Sequence, residues 1–223
     1  MTVAPPHVPV AGMDVLEAIY TTRAMRRMKP DPIPPDVLRA VMDAAIRAPS
    51  GGNAQGWSFV VVQDAALRQG LARLYKPAIE ALFQPGGAYH AQMNAEDPAV
   101  SGPIKKIAAS ALYLGEHLHE APAIVIACIH TGGRPTNVTT GSSIYPAVQN
   151  LMLAARAFGL GSTLTTVHRL HQDEVRTLLG IPGDVETAAL IPLGYPLGRW
   201  GVAPRRPLEE VVFSDRWQHP FAG

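Results

Sequence analysis

The sequence predicts an α+β fold, a central sheet covered by helices. Helical periodicity comes first along the chain, and strand patterns then alternate with helical ones. One segment, "APAIVIACIH" at 121–130, is apolar almost throughout, as in a strand buried on both faces. No internal repeat, heptad or low-complexity tract competes with this reading. A length of 223 residues, 47% of them hydrophobic and 17% charged, supplies the core of a single domain over 13–223. Residues 1–12, rich in proline and valine, are expected to form an extended arm.

The elements follow in order. "MDVLEAIYTTRA" places Val15, Leu16, Ile19 and Tyr20 on one helical face behind Asp14, a helix-starting acid. The prolines of "KPDPIPP" forbid continuation. From Asp36, Val37, Leu38, Val41, Ala44 and Ala45 recur at helical spacing until Pro49. "WSFVVVQD" is β-branched and aromatic, hence a strand. "AALRQGLARLYKPAIEALF" predicts a helix broken at Pro77, and "PIKKIAASALYLGEHLHE" a second one. The stretch between them, 84–102, has the length of a lid or binding loop. Tyr75, Lys76 and Tyr89 could join such a lid. The apolar strand follows, then a long helix over "SSIYPAVQNLMLAARAFGLG", and "STLTTVH" and "ETAALIPLGYP" as strands separated by the short helix "HQDEVRTLLG".

Composition excludes several functions. A formal net charge of +1 gives no bulk attraction to nucleic acid or anionic membrane. The one cysteine, Cys128, cannot form an internal disulfide, which fits a reducing cytoplasm. Neither a secretory signal nor a run of about 20 apolar residues is visible.

The chemistry concentrates in "APSGGNAQGW", where a helical pattern stops and a strand starts. Two carboxamides, Asn53 and Gln55, and glycines that admit close backbone approach can recognise a planar ligand with donors and acceptors, such as a flavin or pterin edge. The same residues also suit a plain helix end, with Asn53 left-handed and Gln55 on the surface. Arginines cluster at two other places, "TTRAMRRMKP" and "APRRPLEEVV". The guanidinium fork matches two phosphate oxygens at once, although each cluster alone also reads as a solvated basic face.

Three segments in the same order resemble the FMN-dependent nitroreductase family: "RAMRRMKPDPIPPDVLRAVMDAAIRAPSGGNAQGWSFVVV", "YPAVQNLMLAARAFGLGS" and "IPLGYPLGRWGVAPRRPLEEVV". The resemblance implies a nitroreductase-like sandwich, a mostly antiparallel sheet covered by helices, dimerising through the long central helix with FMN sites shared between subunits. It implies that Arg23 and Arg27, with the backbone at Ala24 and Met25, hold the FMN phosphate together with Arg205 of the tail, and that Arg206 compensates for Ala203, where the family has a lysine. Pro49, Ser50, Gly51 and Asn53 would line the flavin ring, with Gln55 nearby, and backbone amides at Thr165 and Thr166 would approach its N5 and O4. Ala24, Met25, Gly51 and Gly56 depart from the family pattern.

Flavin carries the difficult chemistry in such proteins. NADPH or NADH and a flat, electron-poor acceptor, a nitroaromatic or a quinone, would take turns on one exposed face. No dinucleotide-binding glycine fingerprint is evident, which suits a shared, loosely selective site. A flavin-binding protein without nicotinamide turnover, one that stores, senses or fragments its flavin, would use the same residues. His168/His171 and His117/His119 lack partners at metal-ligand spacing and are expected at the surface or at helix caps.

Overall fold

The structure, a computed structural model, describes residues 12–221. The expected arm over 1–12 lies outside the described residues except for Gly12. Four strands, β1 (Trp57–Val62), β2 (Ala123–His130), β3 (Gly161–Ser162) and β4 (Val185–Gly194), form one sheet in the order β1-β2-β4-β3, antiparallel at every pairing. The α+β prediction therefore holds.

Strand alternation makes two layers. Val125, Ala127 and Ile129 of β2 face one core with α2 (Pro35–Ala45) and α6 (Val138–Ala157). Ile124, Ile126 and Cys128 face the other, with α3 (Ala65–Ala81) and α5 (Pro98–His117). Seven of the eight β2 residues are buried, which is why that segment reads as a continuous apolar run. α1 (Val15–Thr21), α4 (His90–Met93) and α7 (Gln172–Leu179) complete the helices.

The helix starts follow the capping chemistry. Asp14 accepts from Leu16 N at 2.8 Å, Asp64 from Leu67 N at 2.9 Å and Asp97 from Ala99 N at 2.8 Å, while Asn137 and Thr140 form a capping box.

Three expectations are corrected. Pro77 does not break α3, because it sits on the exposed side beside exposed Arg73, where a carbonyl deprived of its helical donor can bond water. The span 84–102 is not one loop: it holds α4, and α5 opens at Pro98 under the Asp97 cap, with Pro103 inside the helix. "STLTTVH" is strand only at its first residue, the end of β3 (Gly161–Ser162), with Thr165 forming an isolated bridge to Leu190, and Val167–His171 is a 3-10 turn. The apolar face of α1 forms but is not buried within the chain. Val15, Leu16, Ile19 and Tyr20 are 48–64% exposed, and only Ala18 packs inward.

Candidate functional site

The first arginine motif lies along the β3 side of the sheet. Ala24 bridges Ser162, Met28 bridges Pro196, Met25 N–H donates to Ser162 O at 2.9 Å, and Lys29 N–H donates to Tyr195 O at 2.8 Å. Glycines permit this approach. A Cβ on Gly161 would lie 2.8 Å from Met25 Cβ, and one on Gly194 would lie 3.1 Å from Met28 Cβ, both inside ordinary carbon contact.

Of the three arginines, Arg26 enters a cavity of about 350 Å³ together with Tyr75, Phe83, Tyr89, Thr165 and Thr166. No carboxylate lines this cavity. Burial pulls the Arg26 guanidinium below its usual value, while Tyr75 and Tyr89 pull the other way. Tyr75 is 1% exposed and donates to Thr165 Oγ1 at 3.2 Å. Burial raises its phenol, and the Thr165 bond partly offsets that.

The other assigned members of the motif lie elsewhere. Arg23 and Ala24 are exposed, and neither lines this cavity. The Arg27 guanidinium stacks over the Tyr113 ring at 4.6 Å. Two backbone assignments are corrected. Met25 offers a ligand no donor, since its side chain is buried and its N–H is already bonded to Ser162. Thr165 N–H donates to Leu190 O at 3.1 Å, which leaves that residue only its hydroxyl. The Thr166 N–H has no acceptor among the described residues.

The glycine-rich corner belongs to the opposite layer, where Ala48 and Trp57 join the α2–α6 core. Its backbone is unusual. Gly52, Asn53 and Gln55 all have positive φ, at 58°, 53° and 49°. For Gln55 that conformation costs about 1–2 kcal/mol, and it is held by Gln55 N–H donating to Ser50 Oγ at 2.9 Å and Gln55 Nε2 donating to Asn53 Oδ1 at 3.2 Å. Both carboxamides are exposed, so the surface position weighed for Gln55 and the left-handed one weighed for Asn53 are both found. Pro49 and Gly51 are likewise exposed. Ser50, Ala54 and Gly56 border a second cavity of about 370 Å³, completed by His130, Arg134 and the start of α6. The corner and the Arg26 cavity thus lie on different faces of the sheet.

The tail leaves β4 and is anchored where Trp200 receives the Arg156 guanidinium at 4.2 Å. Arg156 is buried, and its Nε donates to Thr21 Oγ1 at 3.0 Å. Arg205 and Arg206 beyond it are exposed, and Arg205 donates only to the neighbouring Pro204 carbonyl.

Among the described residues no cluster of His, Cys, Asp and Glu could hold a metal. His168 is not at the surface as expected but 1% exposed, with neither ring nitrogen partnered. Sequence reasoning missed Arg26 as a cavity residue; of the lid candidates Tyr75, Lys76 and Tyr89, Tyr75 and Tyr89 line the cavity and Lys76 does not, and Tyr75 is buried in α3 rather than part of a lid. Identical charge cannot say which of three neighbouring arginines turns inward, because that depends on bridges to Ser162 and Pro196 near the other end of the chain.

Donor-rich, carboxylate-free and floored by aromatic rings, the Arg26 cavity suits the acceptor-bearing edge of a planar ligand. Comparison with known proteins identifies the family. The family model described as "Nitroreductase family" matches residues 19–195. The "NADH dehydrogenase" of Thermus thermophilus is 31% identical over 210 residues, covering 90% of this chain and 95% of that protein. The "5,6-dimethylbenzimidazole synthase" of Rhodobacter capsulatus is 34% identical over 184 residues, covering 81% and 82%. Among solved structures, the NADPH:FMN oxidoreductase of Vibrio harveyi complexed with NAD+ superposes with a TM-score of 0.68 at 20% identity, over 92% of this chain and 78% of that one. Matched by the family model over most of its length and aligned nearly end to end with a relative above 30% identity, the chain belongs to the nitroreductase family.

Proposed function

We propose that the protein is an FMN-dependent NAD(P)H oxidoreductase that reduces flat, electron-poor acceptors such as nitroaromatics and quinones. The observation that carries the reading is the Arg26 cavity, a half-buried cation and unused donors beside aromatic rings, in a chain of this family. Bound FMN would supply the electron and hydride transfer. The chain supplies placement and charge. Arg26 and the Thr166 N–H face the ligand's acceptor edge, where they favour negative charge as electrons arrive. Arg23, with the tail's Arg205 and Arg206, is free to meet a phosphate. Phe83 and Tyr89, stacked with centroids 5.6 Å apart, give a flat substrate an aromatic wall, so the 84–102 segment shapes access as ordered structure.

The corner residues Pro49, Ser50, Gly51, Asn53 and Gln55 lie across the sheet from this cavity, so a second copy of the chain brings its corner to the site. The exposed apolar face of α1 supplies area for such a homodimer.

The test is the visible spectrum of the purified protein, followed by anaerobic addition of NADH or NADPH and reoxidation by a quinone or nitro compound. Bound FMN that bleaches and recovers, with parallel double-reciprocal lines, is expected. A colourless protein that binds no added FMN overturns the reading. The identity to a relative named 5,6-dimethylbenzimidazole synthase favours a second reading, flavin binding without nicotinamide turnover. Bound FMN that neither nicotinamide bleaches would select it.

A further inference from the structure

Tyr75 sits deep in the α3–α5 layer, yet its hydroxyl reaches the cavity wall and meets Thr165 Oγ1 at 3.2 Å. Thr165 has no freedom to adapt. Its N–H donates to Leu190 O at 3.1 Å and its carbonyl accepts from Leu190 N at 2.9 Å, which ties the residue to β4 at both backbone groups. The hydroxyl is its one remaining polar group, and the residue borders the cavity that holds Arg26.

The direction of the Tyr75–Thr165 bond follows from hydroxyl chemistry. Each hydroxyl has one hydrogen and two lone pairs, and the phenol is the stronger donor of the two. Neither oxygen has another partner among the described residues. With the Tyr75 hydrogen donated to Thr165, the Thr165 hydrogen has no acceptor among the described residues and is free to turn toward the cavity. The reverse arrangement would strand the better donor instead.

We propose that Tyr75 is a positioning residue that aims the Thr165 hydroxyl hydrogen into the cavity, where it donates to a ring acceptor of the bound cofactor beside Arg26. The inference rests on the FMN reading above. A neutral donor fixed in this way binds more tightly as negative charge accumulates on its acceptor, so the pair favours the reduced cofactor over the oxidised one. Arg26 contributes a charge at all times, whereas the hydroxyl adds a directional bond.

The experiment uses FMN-loaded wild type, Thr165→Ser, Thr165→Val, Tyr75→Phe and the Tyr75→Phe/Thr165→Val double variant. The readouts are the dissociation constant for oxidised FMN and the two-electron midpoint potential of the bound flavin. Thr165→Ser is expected to keep the wild-type potential. Thr165→Val and Tyr75→Phe are each expected to lose five- to tenfold in preference for reduced over oxidised FMN, a fall of about 20–30 mV at 29.6 mV per tenfold. The double variant should fall no further than Thr165→Val, because Tyr75→Phe only unfixes the hydroxyl that Thr165→Val removes. General loosening of the fold would move the melting temperature without producing this non-additive pattern.

Should Tyr75→Phe keep the wild-type potential, or the two changes add, the positioning role is overturned. The Thr165→Ser and Thr165→Val pair reads the same hydrogen from its other end if the Tyr75 variant does not fold, and equal potentials in those two overturn the proposal as well. Wild type that binds no FMN removes the functional reading and this inference together. An FMN-loaded protein with the wrong pattern removes this inference alone.

Discussion

Gly161 is the position where one added methyl group tests how the site is built. Its Cβ would meet Met25 Cβ at 2.8 Å, Pro196 Cβ at 3.2 Å and Met25 Cγ at 3.3 Å. The nearest of these atoms is not the end of a flexible side chain, because it moves only with the backbone of the arginine motif. Restoring an ordinary carbon contact requires that backbone to retreat by about 0.8 Å. The retreat stretches the 2.9 Å Met25 N–H bond to Ser162 and the Ala24–Ser162 bridge. Overpacking of this kind costs about 1–3 kcal/mol and a weakened backbone bond about 1 more. For a chain of this size that lowers the melting temperature by about 5–10 °C. Arg26, one residue beyond Met25, should lose its aim into the cavity, so FMN affinity should fall with stability. Gly198→Ala is the internal control. Its Cβ would touch only the Met25 thioether sulfur, at 3.7 Å, an ordinary contact, and it should change little. Thermal melts and FMN titrations of both variants at one protein concentration decide the matter. A Gly161→Ala protein that melts within 2 °C of wild type, on the order of the shift 1 kcal/mol produces, or a Gly198→Ala protein equally damaged, would refute the packing argument.

Three further outcomes follow from buried groups. Burial, then the Arg169 charge, pushes the His168 pKa from 6.5 down to about 4, so the unfolded chain takes up a proton that the folded one refuses. Stability present above pH 6.5 should fall as pH drops toward 4, by about 3 kcal/mol at the end of that window, and His168→Leu should flatten the profile, read as urea midpoints at pH 7 and 4.5. Arg156→Met and Trp200→Leu should show a coupling of about 1–2 kcal/mol in a double-mutant cycle. Each should also speed protease cleavage beyond residue 200, and an uncoupled pair would remove the stack as the tail's anchor. Burial pushes the Cys128 thiol up to about 11, so a disulfide reagent at pH 8 should label no thiol in the native protein and one per chain in guanidinium.

Much of the fold was legible because its elements announce themselves locally. Asp14, read as a helix-starting acid, caps α1 through bonds that reach two or three residues along the chain, whereas the Asp97 and Asn137 caps start α5 and α6 earlier than the apolar pattern suggests. β2 is apolar because the sheet is covered on both sides. Pro77 misled because its effect depends on whether the freed carbonyl can reach water, a tertiary fact. The corner was legible as a turn from composition, but its strained Gln55 backbone was not, since nothing in the residue type demands a positive φ. Arg26 and the place of Tyr75 were hardest to find. What distinguishes Arg26 from Arg23 and Arg27 is the path of an irregular segment against β3 and the tail. What distinguishes Tyr75 from any core tyrosine is the one hydrogen bond that reaches Thr165.

The separation of the corner and the Arg26 cavity leads to a sharper test of whether they combine. Ala48 and Trp57 anchor the corner in the α2–α6 layer, while Tyr75 and the Arg26 cavity belong to the α3–α5 layer. Each complete site would then take its corner from one chain and its cavity from another. Arg26→Gln disables the cavity of a chain and leaves its corner intact, and Asn53→Ala/Gln55→Ala does the reverse. Alone, each variant should bind FMN weakly at both sites of its dimer. In a mixed dimer, one site combines the intact cavity of the second variant with the intact corner of the first, and the other site carries both defects. Unfolding and refolding equal amounts together gives mixed dimers in about half the population. Tight FMN sites should therefore return to about a quarter of the wild-type number. If cavity and corner served the same site within one chain, no mixing could restore any, and the two-chain arrangement would be refuted.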